Sequence, residues 1–260
     1  MYEGVDCPVK QFYADKLDVR VYENRDEMGA AAGQDIKACI LRLLETRESI
    51  NMIFAAAPSQ NEVLASLAKD PEIPWNRVQA FHMDEYIGLS PEAPQGFGNF
   101  LKNALFGLAS FAKVNYIDCA ATDAQAECDR YSKLLQENPV DIVVMGIGEN
   151  GHIAFNDPPV ADFKDPQLVK IVQLDPICRQ QQVNDGCFEK LEQVPNHALT
   201  LTVPALMAAK YHFCIVPAPT KAKAVQTTVQ GPVGEHCPAT CLRNRGGAVL
   251  YLEPDSAALL

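Results

Sequence analysis

Asp141-Ile142-Val143-Val144-Met145-Gly146-Ile147-Gly148-Glu149-Asn150-Gly151-His152 is the stretch on which the fold of this chain turns. Its first six residues form a near-continuous apolar run, the pattern of a strand covered on both faces. Such strands belong to mostly parallel sheets flanked by helices on either side. The glycines that follow let the backbone turn sharply or approach a ligand closely. They stand just past the strand's carboxyl end, where open α/β sheets bind their ligands.

The same alternation recurs outward from this stretch. Short runs at 19–22, 51–54, 78–82 and 114–117 read as strands, separated by segments of helical period. Asn24 suits an N-cap, and Met28, Ala32, Ile36, Cys39, Ile40 and Leu43 follow at the spacing of an amphipathic helix. Further helices are expected over 60–69, 97–108, 121–136 and 221–229, and further strands over 169–174, 211–216 and 248–252. The expected fold is therefore α/β: an open, mostly parallel, Rossmann-like sheet with helices on both faces. Such sheets often run to about 200–250 residues as one unit. With no repeat, low-complexity tract or flexible linker to divide it, residues 1–260 are read as a single domain.

Composition narrows the function. Hydrophobic residues make up 48% of the chain, yet none of its apolar runs nears the ~18 consecutive residues of a membrane span. Met1-Tyr2-Glu3-Gly4-Val5-Asp6 has neither the basic nor the apolar region of a signal peptide, so a cytoplasmic location is expected. Twenty-two basic against 33 acidic residues give a net charge of −11, which argues against nucleic acid or an anionic membrane as partner. A single phosphate can still be held by local donors. Nine cysteines are scattered along the chain, and Cys237-Pro-Ala-Thr-Cys241 lacks zinc-site spacing. Reduced thiols packed as small hydrophobes, and no metal ligand set, are the expectation.

Two polar clusters follow strands. In His82-Met83-Asp84-Glu85-Tyr86 the adjacent carboxylates can supply a general base; equally, such pairs occur as solvated turns or at helix starts. In Gly146 to Pro159 a histidine, His152, sits among three glycines, with Asp157 five residues on and stiffened by two prolines. Asp157 can orient the imidazole as the third group of a catalytic triad does. A buried structural histidine is the alternative. The Gly-x-Gly-x-x-Gly spacing alone is weak, and with no regular helix opening behind it the dinucleotide reading fails.

Met83-Asp84-Glu85-Tyr86-Ile87-Gly88-Leu89 and Gly146-Ile147-Gly148-Glu149-Asn150-Gly151-His152-Ile153-Ala154-Phe155-Asn156-Asp157-Pro158 resemble, in order and separation, the two signature segments of the glucosamine-6-phosphate deaminases. Val194 to Thr200 and Thr220-Lys221-Ala222 resemble two more, and the likeness runs from about residue 18 to 252. The resemblance implies conversion of glucosamine 6-phosphate to fructose 6-phosphate and ammonia, without a cofactor. It implies that Asp84 shuttles a proton between C2 and C1 of the open-chain sugar and that His152 assists ring opening. Asp157 stands where the family has a glutamate partnering this histidine, and Asn150 where it has Asp or Asn. Ser59, Gln60, Gly151 and Lys221 are implied in substrate binding. The family includes monomers and hexamers, so a homo-oligomer is compatible with the sequence, which does not choose.

Departures concentrate at the phosphate end. The family's glycine-rich loop is replaced by Ala55-Ala56-Ala57-Pro58-Ser59-Gln60; alanine resists positive φ and proline offers no N–H. A family arginine is absent from its place near Gln182, and Arg179 is the expected substitute. A related sugar-phosphate isomerase or lactonase, or a non-catalytic sugar-phosphate sensor, is the alternative reading. The lactonase relatives lack the Asp84 segment as it stands here.

Overall fold

The structure is a computed structural model that describes residues 7–260; residues 1–6, and with them the expectation about a leader, lie outside the described residues. In chain order β1 (Lys10–Ala14) and β2 (Leu17–Val21) are followed by α1 (Arg25–Leu44), β3 (Ile50–Phe54), α2 (Asn61–Lys69) and β4 (Val78–His82). A short strand β5 (Asp84–Tyr86) comes next, then α3 (Phe97–Leu101), β6 (Lys113–Asn115), α4 (Ala124–Glu137) and β7 (Ile142–Met145). The rest comprises β8 (Val169–Gln173), α5 (Pro176–Asn184), β9 (His197–Leu201), α6 (Val203–Met207), β10 (Tyr211–Val216), α7 (Ala222–Gln230) and β11 (Ala248–Leu252).

Eight strands form the main sheet, in the order β1-β2-β11-β10-β7-β3-β4-β6. Every neighbouring pair is parallel except β1 and β2. The apolar run of β7 lies at its centre, as its composition requires. Ile142 and Val144 pack with Met52 and Phe54 in one hydrophobic core, whereas Val143 and Met145 pack with Ile53 in the other. The period-2 alternation of a strand thus feeds the cores on opposite faces of the sheet. On one side α1 begins where Asn24 accepts the N–H of Glu27 at 2.9 Å, the N-cap expected from sequence. On the other, Cys128, Tyr131 and Leu135 of α4 supply the apolar stripe.

Strand order fixes where a ligand can bind. From β3 the chain adds β4 and β6 toward one edge; from β7 it adds β10 and β11 toward the other. The direction reverses between β3 and β7, which leaves a crevice beyond their carboxyl ends.

Two expectations are corrected. The strand over 169–174 is not part of the parallel sheet: β8 joins a second, antiparallel sheet of order β5-β9-β8. Its Val169 and Val172 are buried while Ile171 is 39% exposed, so only one face is covered, as antiparallel sheets permit. The helix over 97–108 is α-helical only to Leu101 and continues as wider π turns through Lys102–Phe106. Among the described residues, no helix is long and apolar enough to cross a membrane.

Candidate active site

The crevice between β3 and β7 is a cleft lined by Ala55, Ala56, Ala57 and Ser59 after β3, and by Gly146, Ile147 and Gly148 after β7. Asp84, His152 and Lys221 open into it, and so do Gln181 and Gln182 of α5.

Asp84 is the first residue of β5 and pairs with Thr200 of β9. Along a strand, neighbours face opposite ways, and this separates the two adjacent carboxylates. Asp84 turns to the cleft. Glu85 turns away and accepts the N–H groups of Tyr86, Phe97 and Gly98 at 2.9, 3.0 and 2.8 Å. The pair is thus neither a solvated turn nor itself a helix start: both residues lie buried in β5, and Glu85 reaches across to the first N–H groups of α3. Burial, and then the neighbouring Glu85 charge, raise the Asp84 carboxyl well above the ordinary carboxylate range. His82 holds the turn between β4 and β5: its Nδ1 donates to the Asp84 carbonyl and its Nε2 accepts the Ile117 N–H, both at 2.9 Å. Burial lowers its pKa to about 4, so the ring stays neutral in that tautomer.

His152 is held by the loop that follows β7. Its Nδ1 lies 2.9 Å from Asp157 Oδ1 and 2.8 Å from Asn150 Oδ1. Asn150 also accepts the His152 backbone N–H at 3.1 Å and donates to Asp157 at 2.9 Å. With Nδ1 so engaged, Nε2 is the nitrogen left for the cleft. Asp157 is 1% exposed; burial works against its charge, but His152, Asn150 and the Asp175 N–H outweigh it and hold the carboxyl below its ordinary value. The side chain is one methylene shorter than the family's glutamate and still reaches the imidazole. Gly148 makes room for that ring: a Cβ there would lie 2.1 Å from Cε1 and 2.2 Å from Nε2.

The remaining expected residues divide. Ser59 and Lys221 line the cleft. Lys221 is 4% exposed, and burial lowers the pKa of its ammonium. Gln60 is fully buried behind Ser59, to whose Oγ it donates at 3.0 Å, with a second bond to the Ile215 carbonyl at 3.1 Å; it positions Ser59 instead of facing the cleft. Gly151 also stands back. Its φ of +85° and a Cβ position 2.5 Å from Cys237 Sγ make it a packing glycine. Arg179 is not brought to the site: its guanidinium donates to the carbonyls of Leu191 and Val194 at 2.7 and 2.8 Å. The expectation that it replaces the family arginine is corrected on that ground.

Gln181 and Gln182 also line the cleft; neither is singled out as a site residue by the sequence, although position 182 is near where the family's arginine is expected. Gln182 lies where the resemblance leads one to expect the absent arginine, and Gln181 accepts the Glu149 N–H at 2.9 Å, tying α5 to the loop that carries His152. Asp175 followed by Pro176 marks the start of α5 in the sequence, but nothing in the spacing marks which of its residues face the cleft.

A profile of the family described as glucosamine-6-phosphate isomerases/6-phosphogluconolactonase matches residues 23–251. A glucosamine-6-phosphate deaminase of Listeria welshimeri is 34% identical over 215 residues, 83% of this chain and 90% of that one. Another from Lactobacillus delbrueckii subsp. bulgaricus is 30% identical over 246 residues, 94% of this chain and 100% of that one. Among solved structures, a monomeric glucosamine-6-phosphate deaminase superposes with a TM-score of 0.84 at 23% identity, covering 93% of this chain and 99% of its own. A 6-phosphogluconolactonase from Thermotoga maritima gives 0.73 at 19% identity, covering 90% and 98%.

Proposed function

The chain belongs to the glucosamine-6-phosphate isomerase/6-phosphogluconolactonase family, and from that premise we propose that it is a glucosamine-6-phosphate deaminase, yielding fructose 6-phosphate and ammonia. The observation that carries this reading is Asp84, a buried carboxyl opening into the same cleft as the His152–Asp157 pair. Lactone hydrolysis moves no proton between adjacent carbons. Aldose–ketose isomerisation does, and it needs a base of raised basicity held away from water. A carboxylate whose charge is opposed by burial is such a base.

His152 takes the proton of the anomeric hydroxyl through Nε2 and returns it to the ring oxygen, opening the sugar. Asp157 and Asn150 hold Nδ1 and so fix which nitrogen faces the cleft. Asp84 then removes the C2 proton and delivers it to C1. The C2–H electrons form a C1–C2 double bond and drive the carbonyl pair onto O1, which takes up a proton. The amine lone pair then forms C2=N as C1 takes the proton from Asp84. Loss of one N–H proton offsets the one gained by O1, leaving a ketose imine at C2. Water adds to the imine, and ammonia leaves. The 6-phosphate lies against Ser59 and Lys221, with Gln182 offering a neutral donor where the family has a charged one. The reaction is an isomerisation coupled to hydrolytic loss of ammonia.

The test is ammonia release by the purified chain with glucosamine 6-phosphate. Steady release that is lost in Asp84→Asn supports the reading. Hydrolysis of 6-phosphogluconolactone without ammonia release from the amino sugar replaces it with a lactonase, and binding without turnover of either replaces it with a sensor.

A further inference from the structure

The thiol of Cys178 takes no part in the chemistry above, yet it is packed against the catalytic pair. A ring nitrogen of His152, a carboxylate oxygen of Asp157 and Sγ of Cys178 all lie within 4.8 Å of one another, and all three residues are buried. Cys178 stands in the first turn of α5, whose start is tied to the same carboxylate: the Asp175 N–H reaches Asp157 Oδ2 at 3.4 Å. Asn150 Oδ1, 2.8 Å from His152 Nδ1, supplies a fourth donor. We propose that His152, Asp157 and Cys178, with Asn150, form a site for a divalent cation of the zinc type, and that its occupation switches the enzyme off.

Three arguments support the site. Imidazole nitrogen, carboxylate oxygen and thiolate sulfur together suit zinc or cobalt, not the hard oxygen-loving cations. Bond lengths of about 2.0–2.3 Å to a tetrahedral ion set its ligand atoms about 3.3–3.7 Å apart, so Cys178 Sγ has to draw in by no more than about 1 Å while the His152–Asp157 pair, now 2.9 Å apart, opens by a few tenths. Charge also balances. A divalent ion that displaces the thiol proton is balanced by the Asp157 carboxylate and the Cys178 thiolate, so the buried carboxylate charge is neutralised and one thiol proton is released. Without the ion, burial and the neighbouring Asp157 and Asp84 charges keep the thiol protonated and inert.

The effect on the reaction follows from the atom the ion occupies. It takes the place of the proton between His152 Nδ1 and Asp157, so the imidazole proton moves to Nε2. The nitrogen facing the cleft then becomes a fixed donor and cannot accept the anomeric proton. This consequence rests on the role proposed for His152; the binding site does not.

The experiment is a Co²⁺ titration of the chelator-treated full chain, followed by thiolate charge-transfer absorption, with ammonia release measured on the same samples in Zn²⁺. One equivalent producing the absorption in the wild type and none in Cys178→Ala is the expected result, with affinity falling by at least the ~100-fold that loss of even an outer partner can reach. Ammonia release falls with occupancy, returns on chelation, and resists Zn²⁺ in Cys178→Ala. Cys178→Ser serves where the alanine variant does not fold. Absence of the absorption in the wild type, or its persistence in the variant through the other eight thiols, overturns the site. Cobalt bound through Cys178 with ammonia release undiminished overturns the switch. A wild type that releases no ammonia before any metal is added overturns the functional reading instead, and the absorption alone then decides the site.

Discussion

Replacing Gly148 by alanine tests whether His152, the acid–base group proposed above, is positioned by the space beside it. A Cβ at Gly148 would stand 2.1 Å from His152 Cε1, 2.2 Å from Nε2 and 2.4 Å from Nδ1, whereas ordinary contact begins at 3.4 Å. The nearest contact must therefore lengthen by about 1.3 Å, and the flat of the ring offers no flexible end to give way. Nδ1 is held by Asp157 and Asn150, so the ring retreats only by breaking those bonds or displacing the loop. A misplacement of about 1 Å costs ~10²-fold in rate, equivalent to about 2.7 kcal/mol of transition-state stabilisation. Overpacking alone costs the fold about 1–3 kcal/mol. The expected result is a kcat/KM for ammonia release near one hundredth of wild type, in a protein whose circular dichroism is native and whose melting point is lowered. A kcat/KM within about threefold of wild type, well short of that ~10²-fold, would show that His152 does not act from this position.

Asp84→Asn should lower kcat by ~10²–10⁴ and, in the same protein, raise the melting temperature at neutral pH. The sign follows from the raised carboxyl: it favours the folded state only below its ordinary pKa and opposes it once ionised, so the stabilisation should vanish on acidification. For the same reason the acid limb of the wild-type kcat/KM profile should lie above the ordinary carboxylate range, and a limb near pH 4, the range of unperturbed carboxyls, would exclude Asp84 as the base. Lys221→Ala should raise KM more than it lowers kcat if the ammonium holds the phosphate equally in ground and transition states; an equal fall in kcat and kcat/KM contradicts that role. Arg179→Ala should leave KM near wild type while costing about 1–3 kcal/mol in urea unfolding, because it orphans two carbonyls. A KM raised tenfold would return it to the phosphate site.

The two ends of the cleft differ in how far their sequence could be read, and the reason is physical. The catalytic end is built from contiguous segments that leave buried strands. Asp84 needs only β4 and β5, and His152, Asn150 and Asp157 need only the loop after β7. Each such segment carries its apolar run and its polar cluster together, so position and chemistry are legible at once. The second sheet was not legible in this way: Val169 and Val172 mark β8 as a strand, but only the fold decides that it pairs with β9 and not with the parallel sheet. The phosphate end draws on β3, α5 and the turn before α7, which are separated by long stretches of chain. Arg179 and Gln182 are three residues apart on one helix, and no spacing rule says which of them faces the cleft until α5 is docked. Cys178 is the extreme case, since a ligand set at 152, 157 and 178 has no recognisable interval. Apart from Asp157 in place of a glutamate, the differences from the family accordingly fall where the chain is assembled from afar. Among the described residues Lys221 is the one lysine or arginine lining the cleft, and the neutral Gln182 lines it near where the arginine is expected. Much of the attraction for a phosphate must then come from hydrogen bonds rather than charge, and these are screened by salt far less than an exposed ion pair. KM for a phosphorylated substrate should therefore depend only weakly on ionic strength while still depending strongly on Ser59, and that combination separates a reshaped phosphate site from a lost one.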